Sequence, residues 1–149
     1  MKDLEYARVM HYYFNAVLKL RQDLRHRVQQ KLIERGHADI TLEMSQVLYF
    51  LSFSTEKGEA NQQEIADGIA KNKSSLTSLI DNLLKRDMLE RRINPENRRN
   101  NIISLTEKAK QFVRDLYPEV YQTYDIQKID LNLEDIKALT KTLNSIIES

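Results

Sequence analysis

The side chains best suited to binding a polar partner are short hydroxyl and amide groups between residues 72 and 82. They share a helical segment with an apolar stripe at Leu76, Leu79, Ile80 and Leu83. Ser and Thr are mediocre helix formers, so helix stability does not explain their density. Short polar groups can bond phosphates or base edges without holding a helix away from a duplex. The candidate DNA-binding residues on this helix are Asn72, Lys73, Ser74, Ser75, Thr77, Ser78 and Asn82.

A turn-rich segment with two arginines follows this helix. Two apolar patterns, 88–93 and 101–105, flank the sequence NPENRRNN, which favours a hairpin with Arg98 and Arg99 at its tip. An arginine pair on a turn is common, but a hairpin directly after two short helical patterns is not. We expect Arg98 to contact phosphate and Arg99 to contact phosphate or the minor groove.

The remaining elements must hold the helix and the hairpin in place. A short helix near 62–69 begins with a capping-box spacing at Asn61 and Glu64, and precedes the helix at 73–86. The order helix, helix, hairpin predicts a winged helix-turn-helix lobe over 38–106. The loop SFSTEKGEA, with no strand, is expected to lead into it.

The two ends of the chain read as helices. Apolar spacing predicts one helix over 4–35 with Gly36 as its C-cap, and Thr41 is the expected N-cap of the next. Thr106 begins a further helix that Pro118 should kink or divide. Asn132 caps the last one, with the capping-box spacing to Asp135.

Length and composition favour a single domain, 1–149, that is mainly α with a small β-hairpin wing. The net charge of +1 conceals a pattern: residues 70–101 hold eight basic and four acidic side chains, while 38–69 are acidic. The first residues do not resemble a signal peptide, and no apolar run reaches the length of a spanning helix. A cytoplasmic location without membrane contact is therefore expected.

Several other chemistries find little support. Cysteine is absent, so thiolate metal sites, disulfides and cysteine nucleophiles are excluded. No Ser-His-Asp order and no glycine-rich phosphate loop occurs, which argues against an enzyme and against a cofactor. His11, His26 and His37 lack tight ligand spacing, but a metal-responsive regulator stays open as an alternative.

With these motifs in place, the chain resembles the MarR family (multiple antibiotic resistance regulators) over nearly its whole length. The family pattern T-Q-x-E-L-A corresponds to 61–66, and its longer D-K-S-x-x-T motif to 72–91. The wing motif D-P-x-D-x-R corresponds to 94–99, and L-T-x-x-G to 105–109. Each fragment is weak alone, whereas the ordered set at this spacing is specific.

Four positions depart from the family pattern. Asn97 replaces the wing acid that usually fixes the wing arginine, and Ser78 stands where many members carry Arg. Asp87 and Ala109 replace two common glycines. These changes affect the expected DNA sequence preference more than the expected fold.

The resemblance implies a homodimeric, sequence-specific DNA-binding transcriptional regulator, most simply a repressor. Segments 1–37 and 107–149 would form the dimerisation region, and two recognition helices would meet a pseudo-palindromic operator in double-stranded DNA. Members also bind small aromatic or acidic effectors near the dimer junction. The residues expected to serve such a ligand here are Tyr13, Arg21, Arg25 and Tyr49. The competing interpretation is a winged-helix protein-interaction module without specific DNA binding.

Overall fold

The structure, a computed structural model, describes residues 2–69, 73–97 and 99–149, with side chains for 3–69, 74–97 and 99–149. Helices dominate, and a small sheet lies in the middle of the chain. The elements in order are α1 (Lys2–Glu34), α2 (Leu42–Phe53), β1 (Glu59–Asn61), α3 (Gln62–Ile69), α4 (Lys73–Lys85), β2 (Leu89–Arg92), β3 (Ile102–Leu105), α5 (Glu107–Tyr121), a 3-10 helix (Ile126–Ile129) and α6 (Leu133–Glu148).

Side-chain caps set the start of four helices, as their sequences predict. The hydroxyls of Thr41 and Thr106 each accept a 3.1 Å hydrogen bond from the backbone amide three residues on. Asn61 forms a reciprocal capping box with Glu64, and Asn132 forms one with Asp135. Gly36 follows the end of α1 with a positive φ of 81°, as expected of a C-cap glycine.

The sheet has three antiparallel strands in the order β1-β3-β2. The hairpin of β2 and β3 confirms the predicted wing, with Leu89 opposite Leu105 and Arg92 opposite Ile102. Strand β1 corrects the expectation of a plain loop before α3. A three-residue strand that buries only Ala60 has no alternating pattern for sequence reading to detect, and only the neighbouring β3 defines it.

One face of helix α4 packs into the hydrophobic core. Leu76, Ile80 and Leu83 are fully buried among residues of α2, α3 and the sheet. Helix α3 packs closely beside α2 because Gly68 has no side chain there. A Cβ on Gly68 would lie 1.9 Å from a ring carbon of Phe50, so the glycine permits this contact.

Helix α5 runs undivided through Pro118 to Tyr121, so of the two expected effects of Pro118, a kink or a division, the division does not occur. Proline removes one backbone donor and disfavours helix in the residue before it. Here Leu116 and Val120 are buried on either side of Pro118, and their packing holds the last turn in place.

Apolar surface remains uncovered on two helices. In α1, Val28 and Leu32 are fully buried, but Val9, Tyr12 and Leu18 are 58%, 65% and 64% exposed. Helix α6 buries no residue, although its apolar residues recur at helical spacing. The outer half of α1 and the apolar face of α6 therefore lack cover within one chain.

Candidate nucleic-acid interface

The outward face of α4 consists of hydroxyl side chains. Because Leu76, Ile80 and Leu83 hold the opposite face in the core, Ser74, Ser75, Thr77 and Ser78 are turned to solvent. These four predicted contact residues therefore lie on one exposed surface, which we call the hydroxyl face.

A hydrogen bond from α3 fixes one member of the hydroxyl face. Gln62, the first residue of α3, donates from Nε2 to the hydroxyl oxygen of Thr77 at 2.6 Å. Sequence reading did not identify Gln62 as part of this surface. The signal available was its position directly after the cap residue Asn61, which places it at the end of α3 nearest to α4.

An ion pair joins the hydroxyl face to the wing. Asp81, one turn beyond Thr77, lies with Oδ1 3.6 Å from the Nη2 of Arg91 on β2. Both side chains are substantially exposed, so the pair contributes little to stability, but it places the two elements side by side. Recognition helix and wing thus present a continuous surface.

A second ion pair fixes the base of the wing. Arg92 on β2 donates two hydrogen bonds, of 2.8 Å and 3.1 Å, to the two carboxylate oxygens of Glu59 on β1. This bidentate arrangement spans the intervening strand β3 and gives a defined geometry. The hydrogen bonds from Arg92 hold the pKa of the Glu59 carboxyl below its usual value.

Asparagine side chains shape the tip of the wing. Asn94 accepts a hydrogen bond from the backbone amide of Glu96, and Asn97 accepts one of 3.1 Å from the backbone amide of Arg99. Asn97 thus orients the main chain at Arg99 rather than its guanidinium. In the part of the wing that the structure describes, the Arg99 side chain is exposed and forms no ion pair.

Of the other predicted interface residues, the structure describes only the side chain of Asn82. Asn82 is half-buried, and its backbone carbonyl accepts a hydrogen bond from Arg86. Lys73 begins α4, but its side chain lies outside the described residues, as do Asn72 and Arg98. Their roles stay predictions.

The structure does not gather the predicted effector residues around one cavity. Tyr49 borders a cavity of about 250 Å³ between α2, α3 and α5. Its ring packs edge-on against the ring of Tyr117, with ring centres 4.8 Å apart. Burial raises the pKa of the Tyr49 hydroxyl. Tyr13, Arg21 and Arg25 do not line this cavity, and Arg25 forms an ion pair with Glu43.

The described residues were also compared with the side-chain groups that bind metal ions. Over the described ranges, no group of three or more His, Asp or Glu residues is placed to hold an ion. His37 instead packs edge-on against Phe112, with ring centres 4.8 Å apart. Helices long and apolar enough to cross a membrane are likewise missing from the same residues.

Comparison with known proteins agrees with this architecture. Residues 51–100 match the model of the MarR family. The HTH-type transcriptional regulator MhqR of Bacillus subtilis (strain 168) is 28% identical over 90 residues, which is 60% of this chain. The matched region spans 62% of the length of that curated relative.

Two solved structures share the fold. Sco3205, a MarR family transcriptional regulator from Streptomyces coelicolor in complex with DNA, superposes with a TM-score of 0.77 at 16% identity, over 93% of this chain and 85% of that one. NadR in complex with 4-hydroxyphenylacetate gives a TM-score of 0.73 at 21% identity, over 88% and 89%. At these identities the likeness establishes the fold alone.

The helix pair α3–α4 followed by the β2–β3 hairpin defines a winged helix-turn-helix protein. Over residues 51–100 the chain is similar to the MarR family, as its motifs indicate, and its fold is that of MarR family regulators of known structure.

Proposed function

We propose that the chain is a homodimeric, sequence-specific DNA-binding transcriptional regulator that acts as a repressor. The observation that carries the proposal is the continuous surface formed by the hydroxyl face of α4 and the wing, joined by the pair of Asp81 and Arg91. An exposed helix face of short hydroxyls fits a major groove, and a neighbouring hairpin with an arginine at its tip fits the flanking backbone or minor groove.

The proposal divides the tasks between α4 and the wing. Ser74, together with Lys73 and Arg98, contacts phosphates and sets the register. Ser75, Thr77 and Ser78 meet base edges, and the bond from Gln62 holds the Thr77 hydroxyl in one orientation. Arg99 extends from a turn whose main chain Asn97 fixes, so it reaches beside the site that α4 occupies.

Dimerisation is supported by the uncovered apolar surface of α1 and α6. Leu139, Leu143 and Ile146 are 51%, 39% and 38% exposed along one side of α6, and Val9 and Leu18 are exposed on α1. Soluble monomers seldom leave apolar surface of this extent in water. A second copy covering it would place two recognition helices about one helical turn of DNA apart, in keeping with a pseudo-palindromic operator.

A small effector forms part of the proposal. The fold-related NadR structure holds 4-hydroxyphenylacetate. In this chain the cavity beside Tyr49 is bordered by the aromatic rings of Phe53 and Tyr117 and by the polar side chains of Gln46 and Ser54. Binding sites for small aromatic molecules likewise combine aromatic walls with a few polar groups. Tyr13, Arg21 and Arg25 would reach such a ligand only through the dimer arrangement.

The test is binding of the purified protein to the DNA upstream of its own gene, by fluorescence anisotropy against random competitor DNA at two salt concentrations. Competitor-resistant binding that weakens steeply with salt supports the proposal, because each neutralised phosphate releases counterions. Binding no tighter than to random DNA, repeated with fragments selected from the whole genome, would contradict it and favour a protein-interaction module.

A further inference from the structure

The wing is tied to the rest of the lobe at two adjacent residues of β2, directly before its tip. Successive side chains of a strand point to opposite faces of a sheet. Arg91 shares a face with the buried Leu89 and reaches Asp81 on α4. Arg92 lies on the opposite face and reaches Glu59 on β1. The hairpin is therefore held from both faces at one point along its length.

The two ties differ in geometry. Arg91 and Asp81 form an ion pair whose Nη2 and Oδ1 atoms are 3.6 Å apart, which is too long for a hydrogen bond. The guanidinium of Arg92 instead donates hydrogen bonds of 2.8 Å and 3.1 Å to the two carboxylate oxygens of Glu59. Two bonds in this arrangement fix direction as well as distance, so they set the angle of β2 relative to β1. We call the pair of Glu59 and Arg92 the wing latch.

The direction of Arg99 depends on how the hairpin leaves the sheet. Asn97 accepts a hydrogen bond from the backbone amide of Arg99 and carries no charge, so it orients the main chain of the tip rather than the guanidinium. Strand β2 ends at Arg92, which places the wing latch at the root of the tip. A small change of angle at the latch is magnified along the hairpin and displaces Arg99 relative to α4.

We propose that Glu59 is a positioning residue for DNA recognition, which acts through Arg92 to hold the wing at the angle at which Arg99 meets DNA. This role rests on the proposed function, because the angle matters only to a chain that reads DNA. The side chains of Glu59 and Arg92 are 28% and 51% exposed, so their pairing contributes little to folding stability. Its effect falls on the geometry of the wing.

Motion of the wing can be followed without DNA, because the chain contains no cysteine. A nitroxide attached through Glu96→Cys, at an exposed position of the tip, reports local motion in its electron paramagnetic resonance spectrum. Arg92→Lys keeps the charge but removes the planar fork that bonds both carboxylate oxygens, and it should make the label more mobile. Arg114→Lys, the same change on α5, is the matched control and should leave the spectrum unchanged.

The effect on DNA recognition is measured as the ratio of affinities for operator and random DNA, by fluorescence anisotropy at one salt concentration. Arg92→Lys should lower this ratio roughly three- to tenfold, and Arg114→Lys should not change it. Arg99→Ala should cost less affinity in the Arg92→Lys protein than in the wild type, because the two residues act together. Exchanging the charges, with Glu59→Arg and Arg92→Glu in one chain, should restore most of the ratio that Arg92→Glu alone loses.

The proposal is overturned if Arg92→Lys leaves the label or the ratio unchanged, or if the effects of Arg92→Lys and Arg99→Ala are additive. An equal gain in affinity for both DNAs on Arg92→Lys would also overturn it, since Glu59 would then only withhold a cation from phosphates. A wild-type ratio of one, even with fragments selected from the whole genome, would overturn the proposed function and this role with it. That failure is distinguishable because it needs no variant.

Discussion

The side-chain amide of Gln62 lies 2.6 Å from the hydroxyl oxygen of Thr77, and this bond joins the start of α3 to the outward face of α4. It holds the Thr77 hydroxyl in place on the exposed face of α4. Gln62→Ala should therefore weaken operator binding by roughly three- to tenfold, the effect of losing one ordinary hydrogen bond. Fluorescence anisotropy with operator DNA measures it. Gln63→Ala, which removes a neighbouring exposed amide bonded to Asp67, is the control, and equal affinities for both variants would refute the positioning role.

Arg99 at the tip of the wing offers a second test. Its backbone amide is held by Asn97, while its side chain is exposed. Arg99→Ala should weaken operator binding about tenfold and leave the melting temperature unchanged, because no described contact of the fold depends on the guanidinium. If Arg99 contacts phosphate, the slope of log affinity against log salt concentration should also become shallower by about one. Arg114→Ala, on α5, is the control. Unaltered affinity at moderate salt would exclude a role for the wing.

The uncovered face of α6 predicts the effect of a charge placed there. Leu143→Asp should convert the proposed dimer to a monomer, because a carboxylate buried in an apolar interface without a partner is strongly unfavourable. Light scattering coupled to gel filtration measures the mass directly. Ser145→Asp adds the same charge to a different side of α6 and should leave the dimer intact. A Leu143→Asp protein that remains dimeric would show that this face lies outside the interface.

A hydrogen bond between Tyr124 and Asp23 predicts a pH effect on stability. The Tyr124 hydroxyl donates to Asp23 at 2.6 Å, lowering the pKa of Asp23 from 3.8, while burial and the same bond raise the pKa of Tyr124 to about 12. The Asp23 contribution is present above pH 3.8 and is lost as pH falls through the lowered folded value. The Tyr124 contribution is present below its ordinary pKa of 10.0 and is lost as pH rises through about 12.

Tyr124→Phe should remove the Tyr124 dependence and reduce the Asp23 dependence, because Arg27 still donates a 2.9 Å hydrogen bond to the Asp23 carboxylate. The measurement is urea unfolding at fixed protein concentration between about pH 2.5 and 7, the range in which carboxyl groups titrate. The difference in free energy of unfolding between wild type and variant should become smaller below about pH 4. Tyr6→Phe, at an exposed position of α1, is the control and should track the wild type at every pH. A constant gap across the range would mean that the Asp23 carboxylate gains nothing from this hydroxyl.

Asp87 adopts a left-handed backbone conformation, with φ of 58°, directly after α4. Its carbonyl accepts a 2.7 Å hydrogen bond from the Thr106 hydroxyl, which fixes this turn to the start of α5. Asp87→Gly should raise the free energy of unfolding by up to about 1 kcal/mol, since relief of steric strain exceeds the added chain entropy. Asp67→Gly, inside α3, should lower it by about 1 kcal/mol. Urea denaturation measures both free energies of unfolding. A loss of stability in Asp87→Gly would contradict the assignment of strain.

The wing and the recognition helix could be predicted from the sequence because their signals are local. A cap such as Thr106 acts on an amide three residues away, and the stripe of Leu76, Ile80 and Leu83 repeats within one helix. Interactions within a few residues depend only on the order of the side chains, so the sequence by itself determined the starts of α2, α5 and α6, the hairpin and the hydroxyl face.

Contacts between distant residues were decided by the tertiary structure. Gln62 meets Thr77 across 15 positions, Arg92 meets Glu59 across 33, and Arg27 donates to the carbonyl of Thr123 across 96. Packing of helices against the sheet selects these partners among many side chains of suitable type. The short strand β1 and the undivided α5 have the same origin.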